Sequence, residues 1–143
     1  MPTINSYHNS HVLARTFYAT NKRGQLKVMA EPGQIAYYGV ELEVERGGSR
    51  VASCENMATR LKDQFPNRFA FEHDSSVGDG FEIISEPATI KAHLSPTGIG
   101  WSNMLLMLEA AGYQSHDGGR CGLHVHVSRA GLGSRPETID KVS

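Results

Sequence analysis

The chain has 143 residues, of which 39% are apolar and 20% charged, and its formal net charge is −1. This composition fits about one folded domain and excludes a disordered chain; the near-neutral charge offers no field for nucleic acid or an anionic membrane surface. The longest apolar run, Met104–Leu108, is too short to cross a bilayer, polar Met1–Ser10 lacks a secretory signal, and two cysteines make neither a disulfide framework nor a metal-spacing pair, so a cytoplasmic location is expected.

Residues 1–36 read as an N-terminal extension with a hairpin, Thr16–Thr20 and Gln25–Met29, around the turn Asn21-Lys22-Arg23-Gly24. Glu31-Pro32-Gly33 then turns the chain into a strand, Ile35–Arg46, which Gly47-Gly48 ends. Apolar residues at three- and four-residue spacing from Val51 to Phe65 predict a helix, with Ser49 as N-cap and Pro66 as its stop. Two strands follow, Arg68–Glu72 and Gly80–Ser85, joined by the polar loop His73–Asp79. A loop with Pro96, Gly98 and Gly100 leads to a second helix, Trp101–Ala111, stopped by Gly112. Tyr113-Gln114 opens a short strand, His116–Gly119 turns, and Cys121–Ser128 is the last predicted strand; Pro136–Asp140 resembles the start of a helix. Strands outnumber helices without regular βαβ alternation. The expected fold is therefore α+β, a mostly antiparallel sheet with two helices packed on one face.

Three of these strands alternate in a way that carries chemistry. Side chains of a strand point to opposite faces in turn, so Val40, Leu42 and Val44 separate from Glu41, Glu43 and Glu45. The same rule sends Leu123, Val125 and Val127 to a core and His124 and His126 to the opposite face. Glu41 and Glu43 stand about 6.5–7 Å apart along the strand, which suits two neighbouring ions better than one. Asp74 and Glu82 flank a hairpin loop and can meet at one ion, whereas Glu72 and Asp79 read as surface residues. Oxygen ligands favour Mg²⁺, and a histidine shifts the preference towards Mn²⁺. The bland alternatives stay open: a solvated strand face for the glutamates, a solvated hairpin for Asp74 and Glu82, and backbone-satisfied core histidines. No G-x-S-x-G, P-loop or H-E-x-x-H motif is present, and His8, His11, His73, His93 and His116 follow no pattern.

Taken in order, Tyr38-Gly39-Val40-Glu41-Leu42-Glu43, Asp74-Ser75-Ser76 with Gly80-Phe81-Glu82-Ile83-Ile84-Ser85-Glu86-Pro87, and Cys121-Gly122-Leu123-His124-Val125-His126-Val127 resemble the amidoligase family of phage and bacterial genomes. That family belongs to the glutamine synthetase-like carboxylate–amine ligases. The resemblance implies a glutamine synthetase-like catalytic sheet over 37–143 and two catalytic metal ions. Glu43, Asp74 and Glu82 would hold one ion, and Glu41 and His124 the other; His126 would lie near the nucleotide phosphates or the substrate, and Gly122 would leave room against the backbone.

The implied reaction is ATP-dependent amide formation through an acyl phosphate, with ATP and Mg²⁺ or Mn²⁺ as cofactors. The implied partners are small-molecule or peptide carboxylates and amines, with neither nucleic acid nor membrane, in the cytoplasm (the host's, for a phage gene). The family also uses a later glutamate and arginines. Only fifteen residues follow Ser128, among them Arg129, Arg135 and Glu137, and they do not map onto those positions. The expectation is an N-terminal portion of the catalytic domain; a homo-oligomer whose second subunit completes the site, or an inactive copy, are the other arrangements. Two further readings of the acidic face are a metal-dependent hydrolase or nuclease and a non-catalytic binding domain. A restriction-type nuclease would want lysine where Ile84 stands.

Overall fold

The computed structural model describes residues 3–4, 16–30, 35–73, 79–115 and 122–127, and the backbone of 137–142. A two-stranded hairpin comes first, β1 (Phe17–Thr20) and β2 (Leu26–Met29), close to the segments expected. The long strand β3 (Tyr38–Arg46) follows, then helix α1 (Cys54–Gln64), β4 (Phe69–His73) and β5 (Gly80–Ser85). A short helix α2 (Ile90–Leu94) precedes α3 (Trp101–Ala111), β6 (Tyr113–Gln114), β7 (Leu123–Val127) and β8 (Glu137–Val142).

Several boundaries and two elements differ from the sequence reading; β3 begins at Tyr38 rather than Ile35, and β4 lies one residue later than Arg68–Glu72. Ser53, not Ser49, caps α1, because its side chain accepts the Asn56 N–H at 3.2 Å; the helix closes at Gln64, just before Phe65 and Pro66. Helix α2 was not expected; Thr89 caps it by accepting the Ala92 N–H at 3.1 Å. Within the segment read as a helix start, Pro136–Asp140, the described residues Glu137–Asp140 belong to a strand instead: β8 adds to β7 as an antiparallel neighbour, and Thr138, Ile139 and Val142 are β-branched residues that suit it.

The main sheet runs β4-β5-β3-β7-β8, with β6 also on β3. Every pairing within it is antiparallel. Strands β3 and β4 flank β5 and so run parallel, as do β5 and β7 on either side of β3. The connections β3-α1-β4 and β5-α2-α3-β6-β7 are therefore both crossovers. They travel in opposite lateral directions from strands of opposite polarity, so the usual right-handed turn places α1 and α3 on one face. One core results: Leu42, Val44, Phe71, Phe81 and Ile83 from the sheet pack with Met57, Ala58 and Leu61 of α1, Met104 and Leu108 of α3, and Tyr113. The fold is α+β, with α1 and α3 packed on the face opposite the glutamates.

Two further devices hold this body together. The Glu55 carboxylate accepts the backbone N–H groups of Thr3 at 2.8 Å and Ile4 at 3.1 Å, which sets buried Ile4 into the core. Gly112 ends α3 at φ 91°, where a side chain would be strained, and its carbonyl takes the Gly47 N–H at 2.8 Å. The hairpin is bound to the same body: the Tyr18 N–H donates to the Pro87 carbonyl at 2.9 Å, and Tyr18 packs with Ala88, Ala92 and Ile99. No described helix is long and apolar enough to cross a membrane.

Candidate metal centre

The face opposite α1 and α3 is built by register. Pairing Leu42 with Ile83 and with Leu123 fixes the neighbouring pairs on the other face: Glu43 opposite Glu82, and Glu41 opposite His124. The row extends outward, since Glu82 also faces Glu72 across β4–β5. Strand alternation thus puts one carboxylate each from β4, β5 and β3 in line, with Glu41 one step along and the β7 histidines beyond it.

The direction of the backbone bonds sharpens this. The Arg46 N–H donates towards β5, to the Asp79 carbonyl at 2.9 Å, whereas the Glu43 N–H donates to the Gly122 carbonyl at 3.0 Å on the β7 side. Glu43 and Glu82 therefore form a pair without mutual backbone bonds, the closer kind, with Cα atoms about 4.5 Å apart. The junction between β6 and β7 on the other edge of β3 is closed by Ser115, whose hydroxyl donates to the Glu43 carbonyl at 2.8 Å.

Glu41, Glu82 and His124 each offer a ligand atom, and these atoms all lie within 4.8 Å of one another. His124 stands directly across from Glu41, while Glu82 is its diagonal neighbour, a relation that long side chains can bridge. Two carboxylates and an imidazole at this separation form a donor set that fits a divalent cation. Glu82 is 6% exposed, and the rest of the row is as deep: Glu43 5%, Glu45 3% and Glu72 4%.

The expected site residues fall out as follows. Glu41, His124 and Glu82 are brought together, although the resemblance divides them between two ions. Glu43 sits beside Glu82 in the direct pair. His126 is opposite Gly39, and its Nε2 forms an ion pair with the Glu41 carboxylate. Gly122 is buried and contributes the carbonyl that fixes Glu43. Asp74 lies outside the described residues, as do Ser75, Ser76 and Cys121. Gly39, between the histidines and Glu41, is open: an added Cβ would meet nothing within 4 Å.

Two readings of this face need correction. Glu72 is not a surface residue; it is buried because β4 lies in register beside Glu82, a lateral relation with no local signal. The three alternating glutamates of β3 are not a uniformly wet face either, since Glu43 and Glu45 are buried and Gln114 donates to Glu45 at 3.4 Å. Asp79 is exposed as expected, and pairs with Arg46 at 3.2 Å. No family model, curated protein or solved structure matches the chain.

Proposed function

We propose that this chain carries the metal-binding floor of an ATP-dependent carboxylate–amine ligase of the amidoligase type. The observation that supports it most is the convergence of Glu41, Glu82 and His124 on the face of an antiparallel sheet opposite α1 and α3. These three residues would hold Mg²⁺ or Mn²⁺, with Glu43 adjacent for a second ion. When bound, such ions offset the negative charge of a triphosphate and an incoming carboxylate, the main demand of phosphoryl transfer.

The chain's own residues have distinct parts in this reading. His126 orients the Glu41 carboxylate through its ion pair, and the open space above Gly39 lets a ligand approach the strand backbone. The helical layer behind the sheet keeps the ligand-bearing strands rigid. Arg46 is committed to Asp79 and to the Ser49 and Val51 carbonyls, and Arg68 to the carbonyls of Gly98 and Ile99.

Incubation with ATP, Mg²⁺, a panel of carboxylates and hydroxylamine tests the proposal. The expected result is hydroxamate formed in step with phosphate release, abolished by Glu82→Gln. Phosphate release that ignores the carboxylate and yields no hydroxamate would refute a ligase and favour a metal-dependent hydrolase. A folded protein that binds neither Mg²⁺ nor Mn²⁺ would instead leave a binding domain of the same fold.

A further inference from the structure

His93 on α2 is half-buried and bonded at both ring nitrogens. Its Nε2 lies 2.7 Å from the Tyr38 carbonyl oxygen, and the Trp101 indole N–H donates to its Nδ1 at 3.0 Å. A carbonyl can only accept and an indole N–H can only donate. Nε2 must therefore carry the proton and Nδ1 the lone pair. This neutral tautomer alone satisfies both contacts, and a proton on Nδ1 would set two N–H groups against each other.

The contacts join three elements. Trp101 is the first residue of α3; its ring stacks on His93 with centroids 6.4 Å apart and meets Phe69 edge-on at 5.1 Å. Tyr38 is the first residue of β3, where its N–H and carbonyl also pair with Ala88 at 2.8 and 3.1 Å. We propose that His93 is a proton-operated clasp: neutral, it ties α2 to the start of α3 and to the head of β3, and protonated, it releases Trp101.

Burial pushes the His93 pKa below its ordinary value of 6.5, while the Tyr38 carbonyl opposes that shift. Titratable groups on the surrounding elements include Tyr18 on β1, Tyr38, Glu41, Glu43, Glu45 and Arg46 on β3, His124 and His126 on β7, Arg68 before β4, Glu86 after β5, Glu109 on α3 and Lys91 on α2 itself. None of them enters as a charge effect on His93. Because the folded-state pKa is depressed, the unfolded chain takes up the proton first. The clasp's stabilisation is complete above about pH 6.5 and is lost as pH falls through the folded-state value.

Trp101 is the chain's one tryptophan, so its emission reports on the surroundings of this one ring. A fluorescence titration from about pH 8 to about pH 5, where histidine is the ordinary titrating side chain, tests the clasp. The wild type should show a one-proton change in Trp101 emission, with a red shift and a midpoint below 6.5. His93→Gln can present an amide N–H to Tyr38 and an amide oxygen to Trp101, yet does not titrate; it should keep the neutral-pH spectrum and lose the transition. A transition that persists in His93→Gln, or a flat wild-type titration, would overturn the proposal. If that variant does not fold, the ¹⁵N shifts of wild-type His93 at neutral pH decide: a protonated Nε2 with a bare Nδ1 supports the clasp, and any other state refutes it. Neither result depends on the ligase reading.

Discussion

Glu82→Gln separates a metal ligand from a buried structural carboxylate. The substitution keeps shape, exchanges one acceptor oxygen for a donor NH2, and removes one of the two carboxylates in the candidate Glu41–Glu82–His124 set. Glu82 is preferable to Glu41, whose removal would also strand His126. At a metal concentration of 100 times Kd, binding stabilises the fold by about 2.7 kcal/mol. For a chain of this size each kcal/mol is worth about 3 °C, so the wild type should gain about 8 °C in Tm. Loss of a ligand group should weaken affinity at least as much as loss of an outer-shell partner does, about 10- to 100-fold. The same metal concentration then stabilises the variant by only about 0.4–1.4 kcal/mol, or about 1–4 °C. The assay is thermal unfolding with and without Mn²⁺, with Glu109→Gln as control, since Glu109 is exposed on α3 behind the sheet. A folded Glu82→Gln protein with the full wild-type shift, or an equal loss in Glu109→Gln, would refute the assignment.

Other elements make independent predictions. Ser53→Ala removes the α1 cap and should cost about 1 kcal/mol in denaturant unfolding, whereas Ser49→Ala, outside the helix, should be close to neutral. Gly112→Ala should lower stability by at least about 1–2 kcal/mol, because φ is 91° and the new Cβ would lie 2.7 Å from Val51 Cγ2. Phe81→Ala opens a cavity between Phe71 and Tyr113 and should cost about 3–5 kcal/mol in the same measurement. Cys54, whose thiol pKa is raised chiefly by burial, should be alkylated more slowly at neutral pH than a free cysteine peptide, with the rate rising as pH increases.

What could be read from the chain, and what could not, divides along a physical line. Strand periodicity is local, so the inward Leu42, Val44, Leu123 and Val127 and the outward Glu41, His124 and His126 were legible before any tertiary contact was known. Lateral register is not local. Nothing between Arg68 and Glu86 announces that Glu72 lies beside Glu82, or that Glu82 reaches diagonally to Glu41; those relations exist only once β5 lies between β3 and β4. Helix α2 did carry a signal, Thr89 three residues before Ala92, but five residues are too few for an apolar period to show. The terminal strand had β-branched residues on offer, yet Pro136 followed by Glu137 also matches the opening of a helix, and only pairing with β7 decides between them. His93 is the extreme case: its role comes entirely from two partners, 55 and 8 residues away in sequence.

The position of β5 also explains why carboxylates can gather on one face. Had β4 paired directly with β3, Glu72 would be the neighbour of the β3 glutamates, and β5 would add at an edge. Inserting β5 between two parallel strands makes both of its flanks antiparallel and sets Glu82 against Glu43 on one side and Glu72 on the other. The same insertion turns the chain's two long connections into crossovers of opposite direction and polarity, which a common hand directs to one side of the sheet. A helix on the acidic side would have to bury the row against an apolar stripe, at a desolvation cost that carboxylates recover only through compensating charge. With α1 and α3 behind the sheet, Glu41 and His124 are half-exposed at one end of the row, while Glu43 and Glu82 stay buried. The topology that hides the core is therefore the one that leaves the Glu41–His124 end of the row in contact with solvent.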